Sequence, residues 1–385
     1  MTNTTNCVLL LGGTGPMGVH LTRILASNGY HVVVTSRKEH NSNGQVQYLR
    51  GNAKELDFLK SVLSQRRWLC VVDFMTYKTV EFKERICLLL ESTQHYIFLS
   101  SSRVYASVNP ISEDSPRLLD TSEDIKYLET DEYALYKARE EDILLKSKYL
   151  NYTIVRPYIT FAENRLPLGV LEKETWIRRV LQGKDIAIPQ DVLEKYTTLS
   201  YGEDVSLYIA ELVNNPKCLG RIINITSGIA MKWKTVLDIY LDVIQEKTGR
   251  RPKVYTYGRA CYSCRNVVKM LLKDIFSLGT KKFSRMDYSI NYQLEYDRMF
   301  DRIFDNTQSD TICKINYKDI NKTLSESTRY FIDHPIYNYI NWRTEFVHDL
   351  ICGNTTPLSQ IPTLKLKFQY FLIRFILPRK YLITD

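Results

Sequence analysis

The chain has 385 residues, of which 44% are hydrophobic and 25% charged, and this composition is typical of a globular protein. The formal net charge of +9 lies entirely in residues 246–385, which hold 23 basic and 14 acidic side chains. Composition excludes a disordered, collagen-like or disulfide-rich chain. No apolar run predicts a membrane span, and the opening MTNTTNCVLLLGG lacks the basic flank of a signal peptide, so we expect a cytoplasmic protein.

Short apolar strands alternate with helical patterns over the first 226 residues. The strands are nearly continuous runs of Val, Ile and Leu, which indicates a parallel sheet covered on both faces. This alternation predicts an α/β fold built on a doubly wound, Rossmann-like sheet. The predicted strands are 8–11, 31–35, 45–49, 70–74, 96–99, 151–155 and 221–226, and the predicted helices are 17–28, 53–63, 80–92, 132–148, 176–181 and 204–214.

The alternation loosens after Arg156-Pro157, and the segment 230–345 has helical patterns with few strands. We predict a Rossmann domain over 1–160, completed by 198–226, and a smaller, mostly helical substrate-binding region made of 161–197 and 227–350. Residues 351–385 form a basic aromatic tail. Its mixture of basic and apolar side chains suggests peripheral contact with the inner face of a membrane, and packing on the domain or on a dimer mate is the alternative.

A glycine-rich turn follows the first strand and opens the first helix. Its glycines have the spacing GxxGxxG. Glycine permits a tight turn and the close approach of a pyrophosphate, while the helix N-terminus offers free N–H groups and the positive end of its dipole. The turn heads a series of alternating strands and helices, so it predicts a dinucleotide site. The residues assigned to it are Gly12, Thr14, Gly15, Pro16, Met17 and Gly18.

The end of the second strand is expected to contact the adenosine ribose. It reads Thr35-Ser36-Arg37, with no carboxylate before Glu39. An acidic residue there suits the 2′-hydroxyl of NAD, whereas arginine suits the 2′-phosphate of NADP. We therefore expect NADP or NAD, with NADP favoured, and with Ser36 and Arg37 among its contacts. Asn52, just after the third strand, is a candidate contact with adenine.

Two segments supply candidate catalytic residues. Tyr133 and Lys137 have the spacing YxxxK, which places them on one face of a helix. A lysine ammonium beside a phenol favours the phenolate, so Tyr133 can exchange a proton with a substrate hydroxyl while hydride moves at the same carbon. The fifth strand exits into Ser100-Ser101-Ser102, at the sheet edge where open α/β folds bind ligands, and a serine there can share that proton.

Taken together, these motifs resemble the extended short-chain dehydrogenase/reductase family, which contains nucleotide-sugar epimerases, dehydratases and reductases. The resemblance covers residues 6–226. It rests on the glycine turn, the serine run before Val104-Tyr105, the YxxxK pair, and the segments 156–157, 201–204 and 224–228. It implies a catalytic triad of Ser101, Tyr133 and Lys137. The further residues that it implies are Pro157 near the nicotinamide and, toward the substrate, Ser102, Arg165 and Arg298.

The resemblance implies a nucleotide-sugar epimerase that acts through a transient keto-sugar, with a role in surface polysaccharide biosynthesis. A 4-keto-sugar reductase that consumes NADPH would use the same triad and stays open. A dehydratase is not favoured, because the Asp-Glu pair that follows the catalytic Thr of the family's 4,6-dehydratases is replaced here by Ser102 and Arg103. A non-catalytic RNA-binding protein on the same fold is the alternative from another class.

The expected partners follow from the same reasoning. They are a nucleotide-diphosphate sugar and a second copy of the chain, and nucleic acid is not expected. Cys261 and Cys264 form a single CxxC, which is too little to predict a metal site.

Overall fold

The computed structural model describes residues 6–257 and 292–376, and Cys261 and Cys264 lie outside this range. The chain forms two compact units. Unit 1 contains the chain up to Ala162 together with Thr198–Ala230 and Arg302–Ile320. Unit 2 contains Glu163–Thr197, Met231–Asp301 and the chain from Asn321 onward. The return of 302–320 to unit 1 is a feature that the alternation of strands and helices did not indicate.

Strands and helices alternate through unit 1 as the sequence predicts. The elements of the two units are numbered together in chain order. The strands are β1 (Cys7–Leu11), β2 (His31–Ser36), β3 (Val46–Arg50), β4 (Trp68–Asp73), β5 (Thr93–Leu99), β6 (Tyr152–Pro157), β7 (Thr160–Phe161), β8 (Ile186–Pro189), β9 (Tyr196–Thr197), β10 (Ser200–Tyr201), β11 (Arg221–Ile225), β12 (Met231–Lys232) and β13 (Val254–Tyr257). The α-helices are α1 (Pro16–Ser27), α2 (Leu56–Leu63), α3 (Thr79–Ser92), α4 (Leu118–Thr121), α5 (Ile125–Leu128), α6 (Tyr133–Leu145), α7 (Ile177–Leu181), α8 (Gln190–Leu193), α9 (Gly202–Leu212), α10 (Trp233–Thr248), α11 (Thr307–Ile312), α12 (Ile320–Asp333), α13 (Trp342–Cys352) and α14 (Leu364–Phe371).

A seven-stranded parallel sheet forms the centre of unit 1, in the order β11-β6-β5-β4-β1-β2-β3. Every residue of β1 is buried, and successive side chains enter opposite layers. Val8 and Leu10 belong to the core that includes residues of α1 and α9, whereas Leu9 and Leu11 belong to the core that includes residues of α2 and α3. Helices therefore cover both faces, and the predicted doubly wound α/β class is confirmed.

A buried ionic network joins α6 to the sheet. The guanidinium of Arg156, on β6, donates to both carboxylate oxygens of Glu141, on α6, at 2.8 and 2.6 Å. Glu141 also accepts a hydrogen bond from Ser100, and Arg156 donates to the Tyr105 hydroxyl at 2.6 Å. Removing one partner of a buried ion pair strands the other charge and costs about 3–5 kcal/mol. The network therefore fixes the segment after β5 against α6.

Each described sheet of unit 2 has two strands, in contrast to the seven-stranded sheet of unit 1. β8 pairs with β13 in parallel, and β9 pairs with β12 in the antiparallel sense. Trp176 packs against Tyr240 of α10 with ring centroids 4.7 Å apart, and its indole N–H donates to the carbonyl of Leu166 at 2.8 Å. Among the described residues, no helix is both long and apolar enough to cross a membrane.

The C-terminal segment is anchored in unit 2 by buried charges. Arg179 and Lys184 both pair with Glu345 of α13, at 2.6 and 2.7 Å, and with Asp349 of the same helix, at 2.8 and 3.1 Å. Burial acts to raise the pKa of Asp349, but the adjacent Arg179 guanidinium outweighs this effect and holds that pKa below its usual value. Tyr370 of α14 donates to Asp349 at 3.1 Å. One face of the described part of the predicted tail is thus packed against the rest of unit 2.

Candidate functional site

The three glycines of the GxxGxxG motif after β1 have three different surroundings. Gly12 has φ +71°, which favours glycine, and a Cβ there would collide with the sulfur of Met75. A Cβ on Gly18 would strike the backbone of Gly13, so this glycine permits close packing of α1 against the turn. Gly15 has open space, because apart from its own neighbours in the chain no atom lies within 4 Å of the position that a Cβ would take. This is the position where a pyrophosphate needs room to approach the backbone.

The N-terminus of α1 faces the same space. Gly15 is its N-cap, Pro16 is its first residue, and its first turn has no acidic side chain. The amide of Gly12 donates to Thr35 Oγ1 at 3.0 Å, which ties the turn to β2. Thr14 is exposed, and the carbonyl of Met17 accepts from Ser206 at 2.8 Å. An uncapped helix N-terminus beside open space fits the pyrophosphate of a dinucleotide.

The residues predicted to contact the adenosine end lie at the carboxyl ends of β2 and β3. Ser36 is buried, and its hydroxyl accepts from the Lys38 amide at 3.1 Å. Arg37 is exposed and comes directly after β2. Asn52 uses its side chain locally, because its oxygen accepts from the Lys54 amide at 3.2 Å. Arg37 is therefore better placed than Asn52 to meet a ligand.

The pairing of the parallel strands brings the glycine turn and the serine run to one edge of the sheet. Leu11 at the end of β1 lies opposite Asp73 of β4, and Asp73 lies opposite Phe98 of β5. Lys137 reaches the same edge, since its Nζ lies 4.4 Å from the centroid of the Phe98 ring. Ligands bind at such an edge in open α/β sheets.

Tyr133 is positioned by the cap of its own helix. Glu132 is the N-cap of α6, and its carboxylate accepts from the Ala134 amide at 2.8 Å. The same carboxylate pairs with Arg103 at 2.7 Å, and the Arg103 guanidinium lies 5.2 Å from the centroid of the half-buried Tyr133 ring. Arg103 belongs to the short 3₁₀ turn Ser102–Val104 that follows β5. The serine run and the YxxxK tyrosine are therefore neighbours.

The two serine candidates differ in what their hydroxyls do. Ser101 is the N-cap of the 3₁₀ turn, where its oxygen accepts from the Arg103 amide at 3.2 Å. Ser102 is fully buried and donates to the carbonyl of Arg156 at 2.7 Å, which ties the turn to β6. Because Ser102 donates its proton to a backbone carbonyl, Ser101 stays the predicted catalytic serine.

Lys137 has a buried partner that the motif did not indicate. Its Nζ lies 3.1 Å from Oε2 of Glu140, three residues further along α6, and both side chains are almost completely buried. Burial raises the pKa of Glu140 to about 7, although Lys137 opposes this shift and Asp73 adds to it. Burial also raises the pKa of Asp73, which accepts from the Tyr96 hydroxyl at 2.8 Å. The i,i+3 spacing of a lysine and a glutamate was the available signal.

The remaining predicted residues are divided between the units. Pro157 is buried at the end of β6 in unit 1. Arg165, in unit 2, pairs with Glu172 at 3.0 Å. Arg298, also in unit 2, is buried, donates to the carbonyl of Gly169 at 2.9 Å and pairs with Asp297. The substrate-binding role of Arg165, and that of Arg298 toward the substrate diphosphate, therefore stay predictions.

The fold and this site define the class of the protein. Residues 8–226 match the NAD dependent epimerase/dehydratase family, and the chain belongs to that family. It is also similar to the chloroplast stem-loop binding protein of 41 kDa b from Arabidopsis thaliana, with 26% identity over 236 residues. These residues are 57% of this chain and 58% of that protein, so the match spans less than two thirds of the curated relative.

Solved structures show the same fold at low sequence identity. The Bordetella bronchiseptica enzyme WbmH in complex with NAD+ is 13% identical, with a TM-score of 0.62 over 86% of this chain and 99% of WbmH. MoeE5 in complex with UDP-glucuronic acid and NAD is 16% identical, with a TM-score of 0.59 over 84% of this chain and 98% of MoeE5. Within residues 6–257 and 292–376 of this chain, no cluster of His, Cys, Asp and Glu could hold a metal ion.

The open space at Gly15 leads to a prediction about cofactor binding. Gly15→Ala should weaken NAD binding by at least about tenfold, because the methyl group would occupy the place of the pyrophosphate. The backbone at Gly15 has φ −81° and ψ 178°, which alanine adopts freely, so the melting temperature should not change. Calorimetric titration with NAD and thermal denaturation measure the two effects. Val19→Ala, on the exposed side of α1, is the matched control, and unchanged NAD affinity in Gly15→Ala would contradict the assignment.

The Lys137–Glu140 pair leads to a prediction about pH. The lysine of the YxxxK pair is also expected to hold the hydroxyls of the nicotinamide ribose. Above neutrality an ionised Glu140 would hold the Lys137 ammonium instead, whereas protonation of Glu140 below neutrality would leave the ammonium for the ribose. The groups around Glu140 are Asp73 of β4, Tyr96 of β5 and Asp131 before α6. NAD affinity should therefore fall at least about threefold between about pH 6 and about pH 8. Glu140→Gln should remove this dependence and keep the tighter affinity.

Calorimetric titrations at both pH values measure this effect. Glu129→Gln changes an exposed carboxylate close to α6 in sequence and should keep the pH dependence of the wild type. A Glu140→Gln protein whose NAD affinity still falls with pH as steeply as the wild type would show that Glu140 does not control Lys137.

Proposed function

We propose that the protein is a nucleotide-sugar epimerase that acts through a transient keto-sugar. The observation that carries the proposal is the meeting, at one edge of the unit 1 sheet, of the open glycine turn after β1 with the segments that hold Ser101, Tyr133 and Lys137. Membership of an NAD-dependent epimerase/dehydratase family supports it. The nucleotide sugar bound by MoeE5, a structure of the same fold, supports the substrate class.

Each residue would have a distinct task in this reaction. Bound NAD would supply the acceptor and donor of hydride for one sugar carbon. The Gly12–Gly18 turn and the α1 N-terminus would hold the pyrophosphate, and Lys137 would hold the ribose hydroxyls. The Tyr133 oxygen would take the proton of a sugar hydroxyl, and C4 is the first position to test. Tyr133 would return the proton after the keto-sugar has rotated in the site, so that hydride returns to the other face of the same carbon. Ser101 would donate a hydrogen bond to the same sugar oxygen.

The residues beside the triad support epimerisation over dehydration. Loss of water from a sugar needs groups that remove a proton at one carbon and protonate the leaving hydroxyl at the next. The two residues that follow Ser101 are Ser102, whose hydroxyl donates to the backbone carbonyl of Arg156, and Arg103, whose guanidinium pairs with Glu132. The Arg103 guanidinium cannot serve as such a base, because arginine stays protonated in proteins.

A 4-keto-sugar reductase is the nearest alternative, because it would use the same triad for a single reduction. It would consume reduced cofactor in proportion to product, whereas an epimerase leaves the cofactor unchanged after each cycle. Absorbance of the reduced nicotinamide during sugar turnover therefore separates the two reactions. Oxidised NAD released from the denatured purified protein would also favour the epimerase.

We also propose that Arg37 allows the site to accept NADP. The arginine is exposed at the end of β2, where the 2′-phosphate would lie, and no acidic residue precedes Glu39 in this segment. Arg37→Ala should lower NADP affinity about tenfold and leave NAD affinity within about twofold, since only NADP carries the phosphate. Titration of both dinucleotides measures this difference, and Lys38→Ala is the exposed basic control. Equal loss of both affinities would refute the role of Arg37.

Binding of structured RNA is a second candidate. The observation that favours it is the similarity to a protein named for binding stem-loops, together with the basic excess of residues 246–385. Phosphate contacts make such binding strongly dependent on salt. Salt-sensitive binding of a stem-loop RNA by a protein that converts no nucleotide sugar would favour this candidate over the epimerase.

Four further properties remain predictions. They are a homodimeric state, a cytoplasmic location, contact with the inner face of a membrane and a role in surface polysaccharide biosynthesis. Sedimentation or light scattering measures the first of them directly.

Replacing Tyr133 tests the proposed chemistry. Tyr133→Phe removes the hydroxyl that would exchange the proton and should lower turnover by at least about a hundredfold, while NAD affinity stays unchanged. Tyr136→Phe is the matched control, because its ring contacts that of Tyr133 with centroids 5.3 Å apart on the same helix. UDP-glucose and UDP-glucuronic acid are the first substrates to test, with products separated by chromatography. A Tyr133→Phe protein with wild-type turnover would refute the mechanism.

A further inference from the structure

Helix α14 and the π-helical turn that continues it, Leu372–Ile376, have two apolar faces. The first face is buried in the core of unit 2 through Tyr370 and Ile373. The second face is exposed, and we call it the aromatic stripe. Its members and their exposed fractions are Leu364 (84%), Phe368 (61%), Phe371 (52%) and Phe375 (60%). Their spacing of four, three and four residues places all of them on one side of the helix.

The aromatic stripe is held in place by contacts on the opposite face. The Tyr370 hydroxyl accepts from the Thr356 amide at 2.6 Å and donates to Asp349 at 3.1 Å. Arg374 donates to the carbonyl of Asn354 at 2.8 Å. The helix is therefore fixed by packing and hydrogen bonds on one face, while its other face presents four large apolar side chains to solvent. Contiguous exposed apolar side chains of this kind mark an interaction surface.

The charge around the aromatic stripe identifies the chemistry of its partner. Lys365, Lys367 and Arg374 lie among the stripe residues along the helix, and Arg379 and Lys380 follow in the sequence. No Asp or Glu occurs from residue 350 to residue 384. A surface that combines exposed aromatic rings with a margin of basic side chains matches the boundary between the headgroups and the acyl chains of an anionic bilayer.

We propose that the aromatic stripe binds the surface of a membrane that contains anionic lipids. The helix would lie in the plane of the interface, with its phenylalanines at the level of the upper acyl chains and its lysines among the headgroup phosphates. Self-association through the stripe is disfavoured, because a symmetric contact would bring the basic margins of two copies together with no acidic side chain of this segment to pair with them. This proposal is independent of the reaction that the protein catalyses.

Vesicle flotation of the full chain tests the proposal. The vesicles contain phosphatidylcholine alone or with about one third phosphatidylglycerol. The wild type should float with the anionic vesicles, less with the neutral ones, and less again at high salt, because salt screens the basic residues. The triple variant Phe368→Ser, Phe371→Ser, Phe375→Ser should bind at least about tenfold more weakly.

A matched control removes the same number of exposed apolar side chains elsewhere. Val80→Ser, Ile125→Ser, Leu150→Ser changes three residues of unit 1 that are 69%, 70% and 72% exposed, and this variant should float like the wild type. Circular dichroism and thermal denaturation verify that both triple variants are folded. The substituted residues of both variants are exposed, so neither triple variant should lose its core.

Three results would overturn the proposal. The first is a wild type that does not float with anionic vesicles. The second is a stripe variant that floats as well as the wild type. The third is a wild-type dimer that the stripe substitutions dissociate in the absence of lipid, which would show that a second copy of the chain covers the stripe. Failure of the epimerase assay would leave each of these measurements unaffected.

Discussion

A buried ion pair between Arg156 of β6 and Glu141 of α6 determines how the site is arranged. Glu141 also accepts from Ser100, and Arg156 also donates to Tyr105, so the two charges bind both ends of the segment after β5. The same segment carries Ser101, and the same helix begins at Tyr133. Buried ion pairs add little net stability, because desolvation offsets their attraction, but they penalise every arrangement that separates the partners. The pair therefore specifies one register between helix, strand and turn.

The electrostatics of the site depend on residues outside the family motif. Lys137 has a carboxylate at 3.1 Å, and that carboxylate changes protonation near neutrality because it is buried. A motif that names only the tyrosine and the lysine describes neither Glu140 nor Asp73. Two chains with the same YxxxK spacing can thus carry different net charge beside the cofactor ribose at the same pH. Under the proposed function, the motif marks the position of the chemistry, and the buried neighbours would set its pH range.

The parts of the fold that the sequence predicts are those with a local physical cause. β1 is apolar throughout, and β4 is apolar up to Asp73, because both faces of these strands are covered. Gly12 is glycine because its φ of +71° excludes most other residues. The same local reasoning identifies the serine run and Tyr133 as candidates, and the family resemblance selects Ser101 within the run. It does not reveal that Glu140 is buried, since i,i+3 lysine–glutamate pairs are common on exposed helices. It also misses the return of residues 302–320 to unit 1, because that packing depends on contacts distant in sequence.

The C-terminal segment shows why the net charge of a sequence underestimates the charge of a surface. Residues 342–376 contain two acidic side chains, Glu345 and Asp349, and both are buried against Arg179 and Lys184, which come from outside the segment. The ion pairs that anchor α13 therefore place the segment's acidic residues inside unit 2. Lys365 and Lys367 stand on the outer helix with no acidic residue of their own segment left at the surface to balance them. The buried network thus both fixes α14 in place and makes its outer surface basic.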